Sequence, residues 1–201
     1  MTCAERSISS NDLSRLFSFA AIYPLPLGRG RRFGKSWRGV TDGFLGGWQL
    51  NGILAFQTGF PLILTTQNTS DSGSNVLRPN YDPSATGCAQ NAALSGSALS
   101  RLNEYFNTAC FTQPAPFTFG NVGRTLPNVR APGGRNLDVS AFKNLRLGER
   151  LALQFQAEAF NVLNQVQFGQ PNQSLNSSSF GEITGQANSP RQIQFALKVL
   201  F

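Results

Sequence analysis

The sequence predicts an all-β fold of antiparallel up-and-down strands, and three observations support this prediction. First, residues 191–201 alternate: Ile193, Phe195, Leu197 and Val199 share one face of an extended strand, and mainly polar residues share the other. Second, only 13% of the residues are charged, whereas glycine (20) and phenylalanine (17) are abundant, a composition that suits strands better than helices. Third, the connections between the alternating segments vary from a tight turn to loops of tens of residues.

Five segments carry the alternation. Their predicted bounds are residues 16–25, 46–66, 136–146, 150–161 and 191–201. Residues 1–14 are expected to form an irregular N-terminal stub, and residues 15–201 one continuous stretch of β structure with long loops at 67–133 and 162–190. A kink is expected within the second strand at Gly59-Phe60-Pro61, since proline disrupts a strand ladder.

The loop lengths and the alternation together favour a membrane barrel. Long unstructured loops count against a compact soluble domain, whereas outer-membrane barrels combine short turns on one side with long extracellular loops on the other. Strands of about 9–11 residues with one apolar face also span such a membrane. Five strands fall short of the roughly eight that the smallest barrel needs, so an incomplete barrel segment in the cell outer membrane is expected. The predicted lipid-facing residues are Phe17, Phe19, Trp48, Phe56, Phe155, Phe195 and Val199.

The third and fourth strands predict a hairpin register. Their apolar residues are odd-numbered in both strands, so odd must face odd and the loop must contain an odd number of residues. A three-residue loop at Leu147-Gly148-Glu149 fits. The resulting pairs are Leu145 with Leu151, Ala141 with Phe155, and Asp138 with Glu158.

Two charged features follow from that register. Asp138 and Glu158 form a lumen-facing carboxylate pair, for which a hydrogen-bond network, with or without a basic side chain, is the favoured interpretation, ahead of substrate contact and a catalytic dyad. Lys143 lies on the apolar face near the turn, where its ammonium group is expected to extend towards lipid headgroups.

The composition argues against several other functions. Without histidine the usual general base and the commonest metal ligand are absent, so no enzyme activity, cofactor or metal site is predicted. The triplet Gly34-Lys35-Ser36 lacks the glycine that a phosphate loop needs five residues earlier, where Arg29 stands. The net charge of +7 is assigned to basic residues in solvated turns, and nucleic-acid binding is the weaker alternative. Cys88 and Cys110 lie in one polar segment and are a predicted disulfide, with Cys3 left over.

Several stretches in order resemble a known family. These are residues 23–30 (YPLPLGRG), 45–52 (LGGWQLNG), 57–61 (QTGFP), 117–121 (FTFGN), 136–140 (NLDVS), 142–144 (FKN), 158–164 (EAFNVLN) and 190–198 (PRQIQFALK). From about residue 12 onward the chain resembles the C-terminal part of TonB-dependent receptors, especially the Oar-like transporter barrels.

The resemblance implies a place in a larger machine. In that family a barrel of about 22 strands surrounds an N-terminal plug, and energy arrives through TonB. Phe201 resembles the terminal aromatic residue that the barrel-assembly machinery reads. Because neither a plug, a TonB-contacting motif nor a secretory signal is recognisable, the chain is expected to be a fragment that does not transport alone and that reaches TonB only through missing N-terminal parts. Its expected partners are outer-membrane lipid, the assembly machinery and an unidentified small ligand.

One alternative stays open at this point. A soluble or secreted all-β binding module, for example one that binds carbohydrate, would use Trp48 and the loop aromatics. Such a module should pack its apolar sheet face against a second layer, which the sequence does not supply.

Overall fold

A computed structural model describes residues 6–88, 91–148 and 151–201 and divides the chain into two compact units. We call them the loop unit (Met1–Leu16, Gln57–Gly134 and Gln167–Asn188) and the sheet unit (Phe17–Phe56, Arg135–Val166 and Ser189–Phe201). Each is built from segments that are distant in sequence. Cys3 and the rest of residues 1–5 lie outside the described residues, and residues 6–14 contain no strand or helix.

Five long strands form one antiparallel sheet. They are β1 (Leu16–Pro24), β2 (Trp48–Gln57), β7 (Gly134–Arg146), β8 (Ala152–Phe160) and β9 (Gln192–Leu200), and their order in the sheet is β1-β2-β7-β8-β9. The strands therefore follow one another in the sheet as they do in the chain, and β1 and β9 are its two open edges. All-β architecture with about five up-and-down strands is confirmed.

The β7–β8 register corrects the prediction by two residues. Leu145 pairs with Leu153 rather than Leu151, and Ala141 pairs with Ala157. The parity of the prediction is right, since odd residues face odd residues. Its register is wrong because the ladder continues past β7: Leu147 N donates to the Leu151 carbonyl at 2.9 Å, which adds another apolar pair near the turn. Residues 149 and 150, where the predicted turn ends and the predicted fourth strand begins, lie outside the described residues.

The second strand is shorter than predicted and ends at Gln57 rather than residue 66. A Cβ added at Gly59 would lie 1.7 Å from the Ala131 carbonyl oxygen, so the chain passes against another backbone there. Pro61 follows and cannot donate to a ladder. Residues 58–66 accordingly belong to the loop unit, where Leu62 N donates to the Val129 carbonyl at 3.4 Å.

The segments predicted as loops fold into a structure of their own. Two small antiparallel pairs form, β3 (Thr66–Gln67) with β4 (Val76–Leu77) and β5 (Asn80–Tyr81) with β6 (Phe111–Thr112). Among the described residues, two 3-10 turns add to them, at Leu99–Arg101 and Thr108–Cys110. The buried core consists of Leu62, Leu64, Cys88, Ala92, Tyr105, Phe106, Cys110, Phe111, Val122, Leu126, Val129, Ala131 and Ile183.

The helical content of the described chain is small. One α-helix, α1 (Val40–Leu45), lies in the connection between β1 and β2. Among the described residues, no helix has the length and hydropathy needed to cross a membrane.

Candidate functional site

One face of the sheet is apolar and uncovered within the sheet unit. Aromatic rings line it across the strands: Trp48 meets Phe155 edge-on at 6.3 Å, and Phe155 stacks on Phe195 at 6.1 Å. Phe195 is nevertheless 70% exposed. In this part of the structure the described residues supply no second layer over the face, which is the layer that a soluble module would need.

The other predicted lipid-facing residues lie on this same face. In β9, Phe195 faces Ala157 and Val199 faces Leu153, both on the side of Phe155. At the β1 edge, Leu25 N donates to the Trp48 carbonyl at 2.9 Å, and beyond the other end of this pair Thr58 N donates to the Arg15 carbonyl at 3.0 Å. Both bonds fit a single antiparallel register, in which the odd-numbered residues of β1 share a face with the even-numbered residues of β2. The remaining predicted lipid-facing residues therefore lie on the same side of the sheet as Trp48. These residues are Phe17, Phe19 and Phe56, and all three are exposed.

Lys143 does not extend to the headgroups, which corrects the prediction. Its ammonium group donates to the Gly46 carbonyl and lies 5.4 Å from the centre of the Trp48 ring, and the residue is 6% exposed. The carbonyl and the aromatic face both attract a cation. A charge on the apolar face is thereby covered by its own neighbours rather than by solvent.

The opposite face carries a ladder of hydrogen-bonded polar side chains. From β2 to β7, Asn51 Nδ2 donates to Ser140 Oγ at 3.0 Å. Nearer the hairpin, Gln154 Nε2 donates to Asn144 Oδ1 at 2.9 Å, and Gln156 Nε2 donates to Gln154 Oε1 at 2.6 Å. The ladder is built almost entirely from neutral amides and hydroxyls, and its bonds run both between neighbouring strands and along β8.

Asp138 and Glu158 lie on this polar face but do not form a pair. In the observed register Glu158 faces Ser140, and its partner is Gln194, whose amide donates to Oε2. Asp138 accepts a bond from Asn161 N at 2.8 Å. Each carboxylate therefore accepts a hydrogen bond from its own neutral donor, and the predicted direct pairing of Asp138 with Glu158 is wrong.

A turn that sequence reasoning missed closes the end of β8. Asn161 is buried with a positive φ of 48°, and Asn164 follows with a φ of 50°. The Asn161 amide donates to the carbonyls of Gln165 (3.0 Å) and Ser189 (3.1 Å), and its oxygen accepts from Gln165 N (2.9 Å). Together with the bond to Asp138, this turn ties the ends of β7 and β8 to the segment that leads into β9. We call residues 161–164 the asparagine turn.

Asparagine at both positions was the available signal for this turn. Asparagine tolerates the left-handed backbone region better than other side-chain-bearing residues. The second one also works through its side chain, since Asn164 Oδ1 accepts from Arg191 N at 3.0 Å.

A disulfide cross-links the core of the loop unit. Cys88 and Cys110, the cysteines that the sequence paired, are joined by a disulfide with a Cα–Cα distance of 4.6 Å. Both are completely buried. The Asn107 amide donates to the carbonyls of Gly87 (2.8 Å) and Cys88 (2.9 Å), so hydrogen bonds also join the two segments that the disulfide links.

A cleft of about 380 Å³ opens beside this core. Its walls are largely apolar, formed by residues such as Val122, Leu126 and Val129, with polar groups from Asn91 and Asn128. The size is in the range of small-molecule sites.

Two titratable groups of the loop unit have shifted pKa values. Burial raises the pKa of Tyr105, whose hydroxyl donates to the Arg130 carbonyl at 2.9 Å. The hydroxyl of Ser84 lowers the pKa of Asp82 through a bond of 2.6 Å. Among the described residues, no cluster of three or more potential metal ligands occurs.

Comparison with known families decides what the two-faced sheet is. The family model described as "outer membrane beta barrel domain" matches residues 2–194. The chain belongs to this family. No curated protein and no solved structure gives a significant match to this chain.

Membership of this family accounts for a sheet with one apolar and one polar face. The protein lies in the outer membrane, and in barrels of that membrane the apolar face of the strands contacts hydrocarbon while the polar face is turned towards the lumen. The ladder bonds between strands satisfy the backbone groups that the lipid cannot. The soluble-module alternative is accordingly rejected.

We predict that the Cys88–Cys110 disulfide contributes about 3 kcal/mol to the stability of the loop unit. The link closes a loop with a sequence separation of 22 residues, and its removal enlarges the conformational freedom of the unfolded chain. Cys88→Ala/Cys110→Ala should therefore make residues 58–133 more sensitive to limited proteolysis.

The matched comparison is Cys3→Ser, which leaves the disulfide intact. Its fragments should be the same as those of the wild-type protein. Equal protease resistance of the double alanine variant and Cys3→Ser would contradict the prediction.

Proposed function

We propose that the chain forms part of the barrel wall of a TonB-dependent receptor, one in which a plug fills the lumen and an unidentified ligand is taken up. The resemblance of the sequence motifs to the C-terminal part of such receptors is one support. The other support comes from the lumen face itself.

The observation that carries the proposal is a set of large apolar side chains on the otherwise polar lumen face. Ile53 shares this face with Asn51, and Phe160 shares it with Glu158. They are 52% and 40% exposed, and Ile22 and Leu200 on the same face are 71% and 40% exposed. A water-filled pore would leave these side chains in water at a cost of about 25 cal/mol per Å². A protein plug would cover them.

The amide ladder supports the same interpretation. Porin-type lumens are polar channels filled with water. Here neutral side chains that already bond to one another dominate, and such a surface suits contact with another folded polar surface better than ion conduction. The loop unit, which has its own core and cleft, would form part of the vestibule above the plug and supply ligand contacts.

Thiol labelling in the native outer membrane tests whether the lumen is plugged. In a Cys3→Ser background, we expect Ile53→Cys and Phe160→Cys to react slowly with a membrane-impermeant maleimide added to intact cells. Ser72→Cys, in an exposed part of the loop unit, should react at least about tenfold faster. All three should react equally after denaturation in detergent and urea.

A lipid-facing cysteine provides the matched control. Leu54→Cys is adjacent to Ile53 but on the apolar face, and it should remain unlabelled until the membrane is dissolved. If Ile53→Cys reacts as fast as Ser72→Cys in intact cells, the lumen contains water and the plugged-receptor proposal fails. Dependence on TonB has a separate test: the receptor that contains this chain, solubilised from outer membranes with its N-terminal parts, should be retained by the immobilised periplasmic domain of TonB, and passage without retention would contradict it.

A further inference from the structure

The connection between β1 and β2, residues 25–47, concentrates positive charge at one end of the sheet. We call it the basic connection. It contains five exposed basic residues, Arg29, Arg31, Arg32, Lys35 and Arg38. Its one acidic residue, Asp42, accepts a bond from the backbone N of Arg29 at 2.6 Å. In the described structure none of the five cationic groups takes part in an ion pair.

The same connection exposes a group of apolar side chains. The short helix α1 leaves Val40 77% exposed and Phe44 73% exposed, one turn apart on the same side. Phe33 is 54% exposed, and the guanidinium group of Arg32 lies 5.4 Å from the centre of its ring. The helix is fixed to the sheet because Trp48 Nε1 donates to the Phe44 carbonyl at 2.9 Å. The exposed side chains of α1 are therefore held in position, and no described residue of the sheet unit covers them.

The basic connection lies at the end of the sheet that carries the short β7–β8 turn, the opposite end from the two longest connections. Asn144 N donates to the Gly47 carbonyl at 3.3 Å, so the start of β2 is beside the end of β7 that leads into the β7–β8 hairpin. The two long excursions into the loop unit leave from the other end of the strands. In outer-membrane barrels the short turns are periplasmic. Trp48 and the exposed Tyr23 stand where the apolar face ends, as in an interfacial aromatic girdle.

We propose that the basic connection binds the headgroups of anionic glycerophospholipids in the adjacent, periplasmic leaflet. The exposed apolar side chains of α1 and Phe33 enter the interfacial region, and the guanidinium groups bind phosphate oxygens, for which their planar fork is well suited. Basic segments next to a membrane are attracted to anionic lipid in this way. The inference goes beyond the receptor proposal, because it depends on the charge and the position of this connection and not on any transported ligand.

Tryptophan fluorescence can report on this site alone. The chain has two tryptophans, Trp37 and Trp48, and both lie in or next to the basic connection. The full chain, refolded into phosphatidylcholine vesicles, is given equal mole fractions of a brominated-chain phosphatidylglycerol or a brominated-chain phosphatidylcholine. We expect the brominated phosphatidylglycerol to quench several-fold more effectively, and 0.5 M NaCl to reduce the difference, since salt screens surface charges.

Two triple variants with the same change in net charge complete the test. Arg29→Gln/Arg31→Gln/Arg32→Gln should lower the relative affinity for phosphatidylglycerol by roughly 10- to 100-fold. Arg6→Gln/Arg15→Gln/Arg124→Gln removes three exposed charges from the loop unit and should retain the wild-type preference. If the first triple variant fails to fold, Lys35→Gln/Arg38→Gln should show a smaller loss of the same kind. Equal quenching by the two brominated lipids in the wild-type protein, or equal loss in the two triple variants, would overturn the proposal.

Discussion

Leu197→Arg is expected to destabilise the vesicle-inserted protein by about 2–4 kcal/mol, the cost of placing a cation on the lipid face of a barrel strand near the bilayer midplane. Leu197 lies in the middle of β9, faces Phe155 in β8 and is 65% exposed on the apolar face. Denaturant titration in phosphatidylcholine vesicles, followed by tryptophan fluorescence, gives the free energy of unfolding.

The adjacent residue provides a control of the same chemistry. Ala196 faces Gln156 on the lumen side of the same strand. Ala196→Arg introduces the same side chain one position away and should cost under about 1 kcal/mol, as substitutions on a polar surface usually do. Equal losses of unfolding free energy at the two positions would mean that the face of β9 that carries Leu197 does not contact lipid. A larger loss at Ala196 would mean that the face that carries Ala196 contacts lipid instead.

Local alternation was sufficient to predict the faces of the sheet but not the exact pairing of its strands. Period-two alternation assigns each residue to a side, so Phe155 and Phe195 could be placed on the apolar face from sequence alone. The same parity allows any register that differs by two residues. The choice between Leu151 and Leu153 as the partner of Leu145 depends on where the ladder ends at the turn, and the pattern of apolar residues does not determine that.

Contacts between distant segments account for most of what the sequence did not reveal. The covering of Lys143 depends on Gly46 and Trp48, which are about a hundred residues away. The core of the loop unit assembles distant segments such as those that carry Leu62, which the sequence placed in the second strand, and Ile183, which it placed in a loop. The disulfide between Cys88 and Cys110 was predictable because only three cysteines restrict the choice.

The asparagine turn leads to the second prediction, because one side chain there holds several backbone groups. Asn161 is 6% exposed, and its amide nitrogen serves two carbonyls that belong to different segments of the sheet unit. An aspartate has nearly the same shape and tolerates the same positive φ. It keeps the acceptor for Gln165 N but loses both donors, and it brings a negative charge next to the carbonyl oxygens of Gln165 and Ser189.

Asn161→Asp is therefore expected to lower the free energy of unfolding by about 2–4 kcal/mol, since two buried carbonyls lose their donor and a charge is placed among them. Asn164→Asp makes the identical substitution three residues later, at an exposed position with the same backbone conformation. The Asn164 side chain accepts a bond from Arg191 N, which a carboxylate does equally well, so the cost of Asn164→Asp should stay under about 1 kcal/mol. Asn161→Gly distinguishes the loss of side-chain hydrogen bonds from backbone strain. Glycine adopts the positive φ freely, but it makes none of the three side-chain bonds of Asn161. A loss of about 2 kcal/mol or more in Asn161→Gly would assign the effect to those bonds. If Asn161→Gly and Asn161→Asp are both as stable as Asn164→Asp in the same vesicle titration, the turn does not depend on the Asn161 amide.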